Sequence, residues 1–414
     1  MRPAAPRIAP LSRADATHLL RRLCLAAPTA EVERFAGSSP TDAVEALFED
    51  ARTSRASDDI ALLLPTGELA YLQAWWCERM LADAGARCAE SVALMWHDHF
   101  ATSHDKVRDV HLMHGQYRLW RERGLGDFRA LLHAALVDPA LLVWLDGVDN
   151  ERGRPNENLA RELLELFALG IGNYTERDVL EAARGLSGWR VVRRTARFTP
   201  SRHDAGSKTV LGVTGALDTP GVVDAVLAHD ACPRFVAGRL WEHLMARTPS
   251  EREVTEAAEQ LVANDWDTGR TLAWLATRER FFATDERAAR IAIPIEFVVR
   301  ATLETGVRLA PKQLADGAAA MGQALMRPPS VKGWDGGRRW IDSTAWIARQ
   351  RFAARVAEAL EGTAPAFADL LSDLLPEHAA PAWRAEVERL AAAADEPARV
   401  RTAAVLASAE YHLS

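Results

Sequence analysis

The chain of 414 residues carries 50 Lys+Arg against 57 Asp+Glu, which gives a formal net charge of −7. This mildly acidic balance lacks the basic surface typical of nucleic-acid-binding proteins, so no nucleic-acid partner is expected. No run of about 18 apolar residues occurs that would predict a membrane-spanning helix. At 48% hydrophobic and 26% charged residues, the composition is that of a globular protein with a sizeable core.

The first residues of the chain and its four cysteines indicate the cellular compartment. Arg2 and Arg7 are followed by a helical pattern, without an apolar segment and small-residue cleavage site, so no signal peptide is expected. The four cysteines, at positions 24, 77, 88 and 232, show no C-x-x-C spacing. We expect them to be buried apolar residues in a reducing environment. The sequence therefore predicts a cytoplasmic protein, with export alongside a partner protein as the alternative.

Helical periodicity runs through most of the chain and predicts a mainly α fold, one large domain over residues 1–414. A motif-bearing core of about 12–355 precedes a plain helical tail, 356–414. The alternation of apolar and polar residues over 189–212 predicts a small irregular or β-hairpin insertion. One helix is predicted to begin at Ser12, and another is capped by Asn156 or Asn158 and runs to Leu169. The remaining predicted helices cover 68–83, 87–103, 127–137, 175–186, 220–230, 233–246, 251–263, 268–281 and 293–305.

Histidines concentrate in one short segment, at positions 97, 99, 104, 111 and 114. Neutral imidazoles that converge with a carboxylate, such as Asp98 or Asp105, would form a metal site. His97 and His99 differ by about 200° around a regular helix, so they cannot both face one ligand from it. The alternative is that these rings pack beside Trp96 as ordinary core residues.

A second cluster of polar residues lies at the predicted helix start near position 158. Asn158, Glu162 and Glu165 share one helix face with Arg161 alongside. Two carboxylates on one face can hold a cation or act as a general acid and base, or Arg161 can neutralise them. Asparagine is rare, and four of the five, at positions 150, 156, 158 and 173, cluster here. This clustering favours a binding role for Asn156 and Asn158.

Two loops complete the candidate chemistry. The run from His203 and Asp204 to Lys208 brings together a base, a carboxylate and one of only four lysines, although a turn stabilised by Asp204 explains it equally well. The Pro/Gly-rich stretch 327–337 must be a loop, and Trp334 and Trp340 predict that it packs across the domain as a lid or wall.

The motifs G-x-S-x-G, P-loop and G-x-G-x-x-G are missing from the chain, which disfavours serine-elbow acyl transfer, kinase chemistry and dinucleotide binding.

Taken in order, these motifs resemble the bacterial family called domain of unknown function 1800. The resemblance covers about residues 12–355 and implies a mainly helical fold and a gene neighbour that encodes a sulfatase-like, exported protein. No agreed activity comes with the family. Lys208 matches the family pattern, whereas the position of Lys332 varies. The matching segments are 18–22, 96–100, 154–158, 160–166, 169–170, 174–176, 178–179, 183–184, 188–189, 203–204 with 206 and 208, 328–331, 333–334 and 340–341.

The leading hypothesis is a metal-dependent enzyme, hydrolytic or oxidative, with a divalent metal as its cofactor. The alternative is a non-catalytic binding or assembly partner of the sulfatase-like protein, and a third possibility is that the polar motifs are buried ion-pair networks. For the enzyme, the predicted catalytic residues are Arg161, Glu162, Glu165 and Lys208, the metal ligands His97, His99, His203 and Asp204, and the cofactor-contacting residues Trp96, Asn156, Asn158 and Trp189.

Overall fold

A computed structural model describes residues 7, 9–54, 60, 64–287, 289–360 and 381–413, and most of them are helical. The mainly α prediction is therefore confirmed. Residues 361–380 of the predicted tail lie outside the described residues. The helices are α1 (Arg13–Cys24), α2 (Thr29–Phe35), α3 (Pro40–Thr53), α4 (Leu69–Arg79), α5 (Ala84–His99), α6 (His104–Val107), α7 (Val110–Arg123), α8 (Phe128–Ala135), α9 (Pro139–Trp144), α10 (Asn158–Glu162), α11 (Glu176–Gly185), α12 (Thr219–Leu227), α13 (Ala231–Leu244), α14 (Glu251–Ala263), α15 (Thr268–Ala276), α16 (Pro294–Thr305), α17 (Pro311–Ala320), α18 (Ser343–Glu358), α19 (Pro381–Ala392) and α20 (Pro397–Ala407).

Capping residues explain why two of these helices begin where they do. At α1, Ser12 Oγ accepts a hydrogen bond from the Asp15 N–H at 3.1 Å, and Asp15 Oδ2 accepts one from the Ser12 N–H at 3.0 Å. Thr175 and Asp178 form the same reciprocal pair at α11. Because each pair satisfies two backbone donors that a helix start leaves unpaired, both starts follow from the local sequence, as predicted.

The insertion consists of two separate antiparallel hairpins and extends slightly beyond 189–212. Strands β1 (Trp189–Val192) and β2 (Thr195–Phe198) pair with each other, and β3 (Lys208–Val210) pairs with β4 (Val213–Gly215). Both residues of the first turn, Arg193 and Arg194, have positive φ, as a two-residue turn between twisted strands requires. The turn lacks the usual Asn-Gly signal, which is why the sequence alone left open a hairpin or an irregular loop.

The helix predicted from position 156 to 169 changes its winding halfway. Its first part is α10, and residues Leu163–Ala168 form a π-helical turn, in which the Leu169 N–H donates to the Leu164 carbonyl at 3.2 Å. Such turns are rare and recur at functional sites. Here the turn brings the Phe167 carbonyl to α5, where His99 binds it.

The core is formed by apolar residues from almost the whole described chain, between Leu11 and Tyr411. The end of the chain is part of this core, since Tyr411 and His412 are buried and the His412 carbonyl accepts the Ala292 N–H at 2.9 Å. The predicted tail is thus more than a plain helical extension. All four cysteines are buried and free, as expected. Among the described helices, none has the length and apolar character needed to cross a bilayer.

Candidate functional site

A cavity of about 170 Å³ lies where α1, α5, α13, the beginning of α16 and the Pro/Gly-rich loop meet. Aromatic, charged and imidazole side chains line it together, as in many small-molecule sites. Its polar and aromatic lining comprises Arg22, Ser91, Trp96, Asp98, His99, Arg239, Glu242, His243, Arg290, Glu296, Gln323, Trp334 and Trp340.

His99 brings a neutral hydrogen-bond acceptor to this cavity. Its ring is 4% exposed, and its Nε2–H donates to the Phe167 carbonyl at 3.0 Å, which leaves Nδ1 without a proton. Nδ1 is buried and has no hydrogen-bond partner among the described residues. Burial, reinforced by the positive charge of Arg239, lowers the pKa of His99 to about 3. The ring therefore stays neutral at physiological pH and offers a lone pair.

Asp98 joins α5 to the Pro/Gly-rich loop. Its Oδ1 accepts the Trp334 N–H at 2.9 Å, and its Oδ2 lies 3.8 Å from Nη2 of Arg239. Gly333 has a φ of +78°, and a Cβ atom at that position would overlap Asp98. Burial raises the pKa of Asp98, although the Trp334 N–H and Arg239 oppose the rise. The loop is thus a wall of the cavity, as predicted.

Four further groups on the cavity lining carry buried nitrogens without a partner among the described residues. They are His243 Nε2, the indole nitrogens of Trp334 and Trp340, and Arg22 Nε. Arg22 donates from both of its Nη atoms to main-chain carbonyls, at 2.9 and 2.7 Å, while its Nε has no such partner among the described residues. Burial lowers the pKa of His243 to about 3, which keeps this second imidazole neutral as well.

The other charged groups of the lining neutralise each other. Arg239 Nη1 donates to Glu242 at 2.7 Å, and Arg290 Nη2 donates to Glu296 at 3.0 Å. Glu296 also accepts from Arg300. Burial by itself would raise the pKa of Glu296, but the neighbouring guanidinium groups of Arg290 and Arg300 outweigh it, so the pKa is lowered. Ordinary ion pairs thus occupy these side chains.

His97 lies on α5 between the lining residues Trp96 and Asp98, but its own contacts are structural. Its Nε2 accepts the Met326 N–H at 3.2 Å, and its ring packs edge-on against Trp76 and Trp334. Burial lowers its pKa to about 3. The lone pair that a metal ion would need is already used in this hydrogen bond.

The predicted carboxylate pair lies on α10 and the π-helical turn, outside the cavity lining. Glu165 Oε2 accepts the Tyr174 hydroxyl at 2.9 Å. Glu162 is half-buried, and burial together with the charge of Glu165 raises its pKa, while Arg161 and Lys332 oppose the rise. These two carboxylates therefore interact electrostatically, as their spacing predicts.

Arg161 does not form an ion pair with either carboxylate within the described chain. Its guanidinium group donates to Glu176 at 2.7 and 2.9 Å and to Glu157 at 3.2 Å, close to the protein surface. The reading in which Arg161 directly neutralises the carboxylate pair is therefore not the arrangement found.

The clustered asparagines have structural partners. Asn150 Nδ2 donates to the Ala183 carbonyl at 2.7 Å, and Asn150 Oδ1 accepts the Asn156 N–H at 3.1 Å. Asn156 Oδ1 accepts the Asn158 N–H at 3.0 Å, and Asn158 Nδ2 donates to Asp146 at 3.1 Å. These bonds fix the chain that enters α10, which gives a physical reason for three of the four clustered asparagines.

The loop between the hairpins is fastened to the end of α11. His203 Nδ1–H donates to the Ser187 carbonyl at 3.0 Å, and Asp204 forms a two-armed ion pair with Arg184 at 2.8 and 3.2 Å. Lys208 is 2% exposed, and its ammonium group donates to a main-chain carbonyl two residues away at 2.9 Å. Burial lowers the pKa of Lys208.

Both predicted cofactor-contacting tryptophans are held by hydrogen bonds. Trp96 Nε1 donates to the Gly124 carbonyl at 2.8 Å, and Trp189 Nε1 donates to Thr219 Oγ1 at 2.8 Å. Trp96 packs edge-on against His99 and contributes to the cavity wall, whereas Trp189 belongs to β1.

Of the twelve predicted site residues, Trp96 and His99 therefore line the cavity, and the other ten lie elsewhere. Within the part of the chain that the structure describes, no three His, Cys, Asp or Glu side chains are arranged to hold a metal ion. The histidine, glutamate and loop clusters thus do not assemble into one metal centre among these residues.

The family model described as "Protein of unknown function (DUF1800)" matches residues 18–413. The chain belongs to the DUF1800 family. The match reaches beyond the 12–355 suggested by the motifs and includes the buried end of the chain. No curated protein and no solved structure matches this DUF1800 chain.

The cavity of this DUF1800 protein contains functional candidates that the motifs do not reveal. Arg22, Asp98, His99 and Trp334 belong to motif segments, whereas Arg239 and His243 lie outside all of them. One signal was available, since Arg239 and His243 are four residues apart on a predicted helix and so share a face. Nothing local indicates that this face meets α5.

Proposed function

We propose that this protein binds a small polar molecule in the cavity between α5 and α13. One observation carries the proposal: four side chains that line the same small space, those of His99, His243, Trp334 and Trp340, each carry a buried ring nitrogen without a partner among the described residues. Buried polar groups without partners are uncommon, and each costs about 1–3 kcal/mol. A bound molecule that pairs with several of them would recover this cost.

The proposal also bears on catalysis. Asp98 is the lining carboxylate best suited to exchange a proton with a bound molecule, because burial raises its pKa and its Oδ2 has only a long contact, 3.8 Å, with Arg239. The enzyme hypothesis thus acquires a candidate residue next to the predicted ones. Metal dependence and association with a sulfatase-like protein stay separate predictions, and co-purification from the native host tests the latter.

Ligand-observed NMR with a library of small polar fragments tests the proposal. We expect some fragments to give saturation-transfer signals with the wild-type protein and to lose them with Trp340→Phe. Trp120→Phe is the matched control, because Trp120 is also buried with an unpartnered indole nitrogen but does not line the cavity. If no fragment distinguishes the two variants, the proposed binding function is wrong.

A further inference from the structure

We infer that the molecule bound in this cavity is an uncharged polyhydroxyl compound of about the size of a single sugar ring. This inference rests on the proposed function and specifies its ligand. Three features of the lining support it: the charged groups that are already paired, the hydrogen-bonding atoms that have no partner among the described residues, and the volume of the cavity.

Two of the three guanidinium groups of the lining, those of Arg239 and Arg290, already have their positive charge compensated by a carboxylate. Arg239 and Arg290 pair with Glu242 and Glu296, and Arg22 spends both of its Nη atoms on main-chain carbonyls. Carboxylates and phosphates are typically bound by two parallel N–H donors of one arginine. The bare lone pair of His99 would also repel an anion. A carboxylate or phosphate ligand is therefore disfavoured.

The unpartnered hydrogen-bond donors of the lining disfavour a cationic ligand. The indole nitrogens of Trp334 and Trp340 can only donate, and so can Nε of Arg22. Three such donors around about 170 Å³ would oppose a positive charge. Asp98, the one lining carboxylate without a close ion pair, already accepts the Trp334 N–H. The groups without partners therefore favour an uncharged ligand.

Hydroxyl groups fit this mixture of donors and acceptors. Each hydroxyl donates one hydrogen bond and accepts two, so one group can donate to His99 Nδ1 while another accepts from an indole N–H. Trp334 and Trp340 are 9% and 5% exposed and also contribute apolar ring surface, against which the C–H groups of a polyol can pack. A purely apolar ligand would leave all of these nitrogens unpaired.

The space matches a small ligand. A volume of about 170 Å³ corresponds to roughly five or six water molecules at ~30 Å³ each. Glycerol, a linear pentitol, myo-inositol or one hexose is of this size.

Titration of the full-length protein, labelled with ¹⁵N at its tryptophan indoles, tests the ligand class. The probes are glycerol, ribitol, myo-inositol, glucose, inorganic phosphate, glycine betaine and toluene. We expect at least one polyol to shift the indole N–H resonances of Trp334 and Trp340 and to leave that of Trp120 in place. Trp340→Phe should then weaken the affinity roughly 3- to 10-fold, the equivalent of one hydrogen bond, and Trp120→Phe should not.

The outcomes separate the ligand class from the binding function. If phosphate, betaine or toluene shifts the Trp334 and Trp340 resonances and no polyol does, the cavity binds a ligand but the polyol inference is wrong. If no polyol shifts them while the fragment library finds binders, the inference is likewise overturned. The resonance shifts are measured on the wild-type protein, so the result does not depend on the stability of Trp340→Phe.

Discussion

The main-chain N–H of Trp334 donates a 2.9 Å hydrogen bond to Oδ1 of Asp98, a residue 236 positions earlier in the chain. This bond fastens the Pro/Gly-rich loop to the end of α5 and closes one side of the cavity. Gly333 makes it possible, because its positive φ and missing side chain let the main chain approach the carboxylate. Two segments that look unrelated in the sequence thus form a single wall.

Gly333→Ala should destabilise the protein by about 2–4 kcal/mol, since the new methyl group overlaps Asp98 in addition to straining a backbone with φ near +78°. Gly337→Ala is the control, because Gly337 also has a positive φ, +57°, but open space around it. We expect that variant to lose about 1 kcal/mol. Urea unfolding measures both, and equal losses would contradict the close approach to Asp98.

Glu90→Ala should cost about 3–5 kcal/mol, whereas Glu162→Ala should cost no more than about 1 kcal/mol. Glu90 is fully buried and accepts hydrogen bonds from Trp76, Tyr117 and Arg121 at 2.9–3.0 Å, so its removal leaves a buried guanidinium uncompensated. Glu162 is half-buried and forms no such ion pair with any described residue. Chemical denaturation compares the two, and a loss of several kcal/mol in Glu162→Ala would support the ion-pair-network reading of that motif.

Because of Asp138, the free energy of unfolding should increase as the pH falls from about 6 to about 4. Burial raises its pKa from 3.8 to about 6 in the folded state, so the native state binds a proton that the unfolded state does not between about pH 4 and pH 6. This contribution is therefore lost as the pH rises through 6, and it amounts to ~3 kcal/mol at about 1.36 kcal/mol per pKa unit.

Asp138→Asn tests this contribution, because asparagine can still cap α9 through the Leu141 N–H. In the variant, we expect the difference in unfolding free energy between pH 4 and pH 6 to lose the contribution of ~3 kcal/mol that Asp138 makes. Asp178→Asn is the contrasting variant, since burial alone would raise the pKa of Asp178, but its hydrogen bonds with Thr175 and the Leu211 N–H outweigh burial and lower the pKa below 3.8. Its effect should appear below about pH 4. An unchanged profile in Asp138→Asn would refute the assignment.

Lys208→Met should fold with a loss of about 1 kcal/mol, because methionine keeps the apolar stem and loses one hydrogen bond. Lys208→Arg should cost about 1–3 kcal/mol, since the larger head does not fit a site that is 2% exposed. Thermal unfolding measures the order of the two. The opposite order would show that charge, rather than space, governs this position. A loss of function in the stable Lys208→Met protein would support the predicted catalytic role.

His97→Ala should leave the metal content of the freshly purified protein unchanged. The ring nitrogen that would bind a metal accepts the Met326 N–H instead, and a nitrogen lone pair cannot serve both partners. Elemental analysis of the folded fraction, without added metal, measures this. A stoichiometric metal in the wild type that disappears in His97→Ala would overturn this expectation and restore the metal-dependent enzyme.

The sequence by itself determined the elements whose causes are local. Ser12 and Thr175 begin α1 and α11 because their caps need only residues three positions away. The Pro/Gly-rich stretch cannot be a helix wherever it lies. The change of pattern at 189 indicates strands, because alternation is a property of neighbouring residues. The family likewise follows from motifs in the order of the chain.

Only the tertiary structure decided which polar residues meet. His97 and His99 look equivalent in the sequence, yet one ring nitrogen of His97 accepts the Met326 N–H while Nδ1 of His99 is left unpartnered beside the cavity. The partner that makes the difference, Phe167 or Met326, lies far away in the chain. Hydrogen bonding and desolvation depend on distances in space, and a pattern of neighbouring residues carries no information about them.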